Sequence, residues 1–138
     1  KNCGMPAYKV ASYEINDIPL IRQIAAQQKP VIIATGIAHL EDIERALKVC
    51  REEGNEEVML LKCVSAYPTP YEDINLAMIP TLAKTYGCLV GLSDHSMGSV
   101  GFSPARISFT TNREREPFRS FSCFPVKPYA DAPSAFST

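Results

Sequence analysis

The sequence predicts an α/β chain with parallel strands, and three observations carry that prediction. Short, β-branched apolar runs alternate with amphipathic helical stretches over residues 8–93. The strand runs are almost continuously apolar, as strands covered on both faces must be. The links between them are short and carry Gly, Pro or Asn, so each strand–helix–strand passage reads as a right-handed βαβ unit.

The strand runs cover residues 8–12, 31–35, 58–64 and 89–93. A first helix is expected near 18–27, with Asp17 as its N-cap and Pro19 in its first turn. A second covers 40–50. There Leu40, Ile43, Leu47 and Cys50 form one apolar stripe opposite the charges, and Gly54 supplies a stop. A third covers roughly 77–86. Pro80 is tolerable there only near the start, and Gly87 ends the helix.

Such units build either half of a doubly wound sheet or half of a barrel. The polar residues Ser12, Glu14, Thr35, Ser65, Ser93 and His95 all fall at strand C-terminal ends. Barrel enzymes build their sites from those ends, which favours a partial (β/α)8 TIM barrel over residues 1–98. Residues 99–138 differ in kind. All six phenylalanines and five of the eleven prolines lie there, no Leu follows Leu92, and no period survives. This reads as an irregular or divergent tail: a linker, a disordered or foreign segment, or a departure of the reading frame near Gly98.

At 138 residues the chain is one domain long, well short of the ~250 residues of a closed eight-stranded barrel. Net charge is −1 with scattered Lys and Arg, which argues against nucleic acid as a partner. No apolar run is long enough for a membrane span, and Lys1-Asn2-Cys3-Gly4 lacks a signal-peptide pattern. The five cysteines are odd in number, widely spaced and form no C-x-x-C, which argues against a cysteine zinc site. Buried free thiols at Cys50, Cys63 and Cys88 suit a reducing, cytoplasmic protein.

Several polar residues are candidates for chemistry. Period two places Ser12 and Glu14 on one face, with Lys9 opposite unless the strand kinks. The pair suits phosphate anchoring and proton transfer, or Glu14 caps the next turn. Thr35-Gly36 suits close approach of an anion to a helix N-terminus, as many βα turns do. Lys62 ends an apolar run, where a lysine pairs with a phosphate or carboxylate or forms a Schiff base. Ser65 to Pro70 is a stiff polar loop that either holds a ligand or only turns the chain. Ser93 and His95 share a face, and His95 is a metal ligand, an acid/base or a hydrogen-bonded structural residue. His39 heads a helix as a capping or solvated residue.

Four runs in register, 7–21, 29–36, 60–68 and 90–95, resemble the sialic acid synthase family, which includes N-acetylneuraminate and pseudaminic acid synthases. Their cores are Lys9-Val10-Ala11-Ser12-Tyr13-Glu14, Ala34-Thr35-Gly36, Lys62-Cys63-Val64-Ser65-Ala66-Tyr67-Pro68 and Ser93-Asp94-His95. The resemblance covers about residues 5–98 and implies the fourth to seventh strands of the family barrel. It implies condensation of phosphoenolpyruvate with an N-acetylated amino sugar and release of phosphate. It also implies a divalent metal, Mn²⁺ or Mg²⁺, and a homodimer.

By resemblance, Lys9, Ser12 and Ser93 contact phosphoenolpyruvate, Glu14 handles a proton, Tyr67 faces the sugar and His95 is one of two metal-ligand histidines. Departures are Ala34 for Ser, Ser65 for Asn, and Lys62 for the His of sialic acid synthases. Lys62 with Cys63 leans toward the pseudaminic acid branch. After His95 the chain has no histidine, and Ser108 stands in a faint echo of the eighth strand. Two other readings stand beside this one: a class I aldolase-like half barrel using Lys62, and an inactive truncated barrel.

Overall fold

The computed structural model describes residues 4–97. Four strands, β1 (Tyr8–Val10), β2 (Val31–Ala34), β3 (Val58–Cys63) and β4 (Leu89–Ser93), form one parallel sheet in the order β1-β2-β3-β4. Helices α1 (Ile18–Ala25), α2 (Leu40–Glu52) and α3 (Met78–Tyr86) connect them in turn. The predicted alternation holds throughout. Residues 99–138, including Ser108, lie outside the described residues.

The local signals explain the element ends. Asp17 caps α1 by accepting from the Leu20 N–H at 3.0 Å, and Pro19 sits in the first turn, where its missing N–H costs nothing. Pro80 is tolerated for the same reason in the first turn of α3. Gly87 closes α3 in the left-handed conformation (φ 64°), and Gly54 follows α2 with φ 74°. Leu40, read as part of the α2 stripe, is exposed because it opens the helix beyond the strand ends.

The helices cover one face of the sheet. Val10, Val31, Ile33, Val58, Leu60 and Val90 pack against Ile21 and Ala25 of α1, Ile43, Ala46, Leu47 and Cys50 of α2, and Leu82 of α3. Each such aliphatic side chain contributes roughly 1.5–3 kcal/mol when fully buried. Burial pushes the Cys50 thiol up to about 11 and raises that of Cys88, so both behave as small apolar groups. Asn55 is a buried polar staple. Its Nδ2 donates to the carbonyls of Ala25 and Lys29, and its Oδ1 accepts from the Glu57 N–H.

Alternation along the strands puts Lys9, Ile32, Met59 and Leu89 in one row of the opposite face, with Ala34, Leu61 and Gly91 in the next. Among the described residues no helix covers this inner face, and Ile32, Met59, Leu61 and Leu89 stay half-buried. In the barrel expected from the sequence, this is the interior side of the wall. No helix among the described residues is long and apolar enough to cross a membrane.

Candidate functional site

The site forms along the C-terminal edge of the sheet and begins with a departure from the sequence expectation. Strand β1 ends at Val10, and Ser12–Glu14 form a single 3-10 turn. The Glu14 carboxylate closes that turn by accepting from the Ala11 N–H at 2.8 Å, while the Glu14 N–H donates to the Ala11 carbonyl. Period two therefore does not extend to Ser12 and Glu14, and they do not share a strand face. Ser12 is buried, whereas Glu14 is exposed. The bend also removes the expected opposition of Lys9 and Ser12. Ser12 reaches Cys63, which alternation places on the same inner face as Lys9.

Three strand ends meet around Gly36. The Gly36 N–H donates to Ser12 Oγ at 3.0 Å, and Ser12 Oγ lies 3.3 Å from Cys63 Sγ. A Cβ built on Gly36 would collide with Ser65 Oγ and lie 2.9 Å from Ser12 Oγ and 3.0 Å from Cys63 Sγ. The absent side chain thus makes room for three polar groups of the protein itself. Among the described residues no hydrogen bond is formed by Ser65 Oγ. Thr35 is anchored rather than open, since its N–H and Oγ1 both reach the Leu61 carbonyl at 3.0 Å.

A second group gathers beyond β4. His95 Nδ1 lies 3.2 Å from the Val64 carbonyl oxygen, and Nε2 lies 3.4 Å from Ser93 Oγ. The Tyr67 and His95 rings stack at a tilt of 36°, with centroids 4.5 Å apart. Thr69, flanked by Pro68 and Pro70, holds the loop. Its N–H donates to the His95 carbonyl and its Oγ1 to the Ala66 carbonyl, both at 3.0 Å. Asp94 Oδ1 accepts from the Ser96 N–H, while Asp94 Oδ2 and Ser96 Oγ are buried without a hydrogen-bond partner among the described residues.

Lys62 adjoins the first group from the other side of β3, since Thr35, Gly36 and Cys63 also line the cavity it faces. Alternation puts it on the helix-facing side with Val58 and Leu60. There it lines a cavity of about 280 Å³ with Asp73, Asn75 and Met78, and its Nζ donates to the Cys63 carbonyl. The structure brings Ser12 and Ser65 together, and Ser93, Tyr67 and His95 together. Cys63 is the site residue that the sequence reading did not single out. Counting alternately from Met59 would have found it, because residues 59, 61 and 63 share the inner face.

The expected metal can be tested against His95. A carbonyl oxygen only accepts, so the Nδ1 contact with Val64 requires a hydrogen on Nδ1 and leaves Nε2 as the nitrogen through which the neutral ring could meet a metal. Metal-binding imidazoles are commonly oriented by such a carbonyl. His95 therefore fits as a single ligand. Among the described residues no group of three His, Cys, Asp or Glu side chains gathers around a common point.

The fold and this edge define a class: a run of parallel βα units of barrel type with polar side chains at the strand C-terminal ends. The sequence matches the NeuB family over residues 1–106, and the chain belongs to that family. It is 46% identical over 99 residues to a pseudaminic acid synthase of Helicobacter pylori, covering 72% of this chain and 28% of that protein. It is 48% identical over 92 residues to a pseudaminic acid synthase of Campylobacter jejuni, covering 67% and 27%. The crystal structure of an N-acetylneuraminic acid synthetase from Leptospira borgpetersenii, in complex with citrate, superposes with a TM-score of 0.67 at 36% identity, covering 70% of this chain and 34% of that one. The chain thus spans about a quarter to a third of the length of these relatives.

Proposed function

We infer that this chain is the part of a nonulosonic acid synthase that carries the phosphoenolpyruvate side of the active site. In the complete enzyme, carbon 3 of phosphoenolpyruvate attacks the aldehyde of an open-chain N-acetylated amino sugar, water adds at carbon 2, and phosphate leaves. The observation that carries this reading is the meeting of Ser12, Gly36, Cys63 and Ser65 at one edge of a NeuB-family sheet. Lys9, on the inner face, and Ser12 and Ser93, at the strand ends, are assigned to the phosphate and carboxylate of phosphoenolpyruvate. Thr35 and Ser65 shape that pocket, Tyr67 faces the sugar, and Glu14 moves a proton at the rim.

His95 would hold the divalent metal, Mn²⁺ or Mg²⁺, through Nε2. When bound, the metal supplies Lewis-acid polarisation of the aldehyde. The pseudaminic acid branch is favoured by identities of 46% and 48% to two of its synthases, against 36% to the Leptospira enzyme. The sheet is assigned to strands four to seven of the barrel, and the complete enzyme to a homodimer. The aldolase reading is not favoured, because Lys62 faces the helix layer and donates to a backbone carbonyl.

The test is release of inorganic phosphate from phosphoenolpyruvate by the complete enzyme carrying this segment. Release is expected only with both an acylamino sugar and Mn²⁺ present. A complete enzyme that consumed no phosphoenolpyruvate with any such sugar would overturn the reading.

A further inference from the structure

Cys63 occupies an unusual position for a strand cysteine. It is buried, yet its sulfur lies within hydrogen-bond range of a hydroxyl assigned to substrate. A serine hydroxyl has one hydrogen to give and two lone pairs to receive with. The Gly36 N–H already takes one lone pair of Ser12 Oγ. If the Cys63 S–H takes the second, the hydroxyl hydrogen of Ser12 is bonded to no acceptor among the described residues and is free to point to a ligand. If Ser12 instead donates to the sulfur, that hydrogen is withheld. A thiol accommodates both arrangements, because it is a weak donor and a weak acceptor. An apolar side chain of the same size accommodates neither.

We propose that Cys63 is a positioning residue that turns the Ser12 hydroxyl into an outward donor when an anionic substrate binds. The thiol donates to Ser12 Oγ, Ser12 donates to an oxygen of the substrate phosphate or carboxylate, and each bond polarises the next. Gly36 completes the device. Its amide fixes Ser12 from the other side, and its lack of a Cβ lets sulfur and hydroxyl approach. The inference rests on the synthase reading above, since it requires an anion at Ser12.

Steady-state kinetics of the complete enzyme test it. Cys63→Val replaces the thiol with a slightly larger apolar group and loses the hydrogen bond. It is expected to raise KM for phosphoenolpyruvate about fivefold, the scale of one neutral hydrogen bond, with kcat and the sugar KM within about twofold. Cys63→Ser restores a donor and is expected to recover most of that loss. In a Ser12→Ala background, Cys63→Val is expected to add no further change, because the group it positions is gone.

An unchanged KM in Cys63→Val, or an equal increase with and without Ser12, would overturn the proposal while leaving the synthase reading intact. A wild-type enzyme that consumes no phosphoenolpyruvate overturns both. Should Cys63→Val fail to fold, Cys63→Ala in the same two backgrounds gives the same comparison.

Discussion

The two polar groups on the sheet edge are built differently. Around Gly36, side chains from the ends of β1 and β3 close on a backbone amide at the end of β2, and Ser12, the Gly36 amide and Cys63 form a chain of contacts. Beyond β4, the contacts are longer and more open. Ser93 reaches His95 at 3.4 Å, and Tyr67 lies over His95 while 69% exposed. Asp94 Oδ2 and Ser96 Oγ stay unpartnered. Both groups hold spare polar capacity among the described residues, at Ser65 Oγ in the first and at Asp94 Oδ2 and Ser96 Oγ in the second. On the proposed function, the first would serve the anion with groups of neighbouring strands, and the second would call on further donors for metal and sugar.

Substitutions can break or sharpen this contrast. The largest effect is expected from Gly36→Ala, because the added methyl collides with Ser65 and crowds Ser12 and Cys63. A loss of about 1–3 kcal/mol in urea unfolding is expected, together with loss of phosphoenolpyruvate turnover by the complete enzyme. Ser12→Ala removes the acceptor of the Gly36 amide and should cost about 1–2 kcal/mol, read by the same denaturation. Tyr67→Ala removes only an exposed ring contact and should cost under about 1 kcal/mol. Ser96→Ala deletes an unpartnered hydroxyl, so stability should stay within about 0.5 kcal/mol or rise slightly. If Ser96→Ala cost as much as Ser12→Ala, the contrast between the two groups would collapse.

Much of the fold was legible in the chain. Helix α2 and strand β4 follow from an apolar stripe and a β-branched run, because those patterns are set by which face must leave water. The Asp17 cap and the Gly87 stop were legible because they are local. The bend after Val10 was not, since it depends on Glu14 folding back onto the Ala11 amide, a contact that no strand period encodes. Lys62 drew attention as a charge in an apolar run, yet alternation sends it to the helix side. Cys63, chemically plain in sequence, is carried inward to Ser12. Family likeness placed Ser12 and His95 in a site, but which groups they touch required the folded strands.

The strand order has a consequence for how the site comes into being. Every ladder joins a strand to the one just before it in sequence, so the sheet grows by closing short loops. The Ser12–Cys63 contact instead spans 51 residues and skips a strand. That contact can form only after β3 has docked, later than the β1–β2 contact between Ser12 and the Gly36 amide. A nascent chain would hold its first ladder before it could bring Ser12 to Cys63.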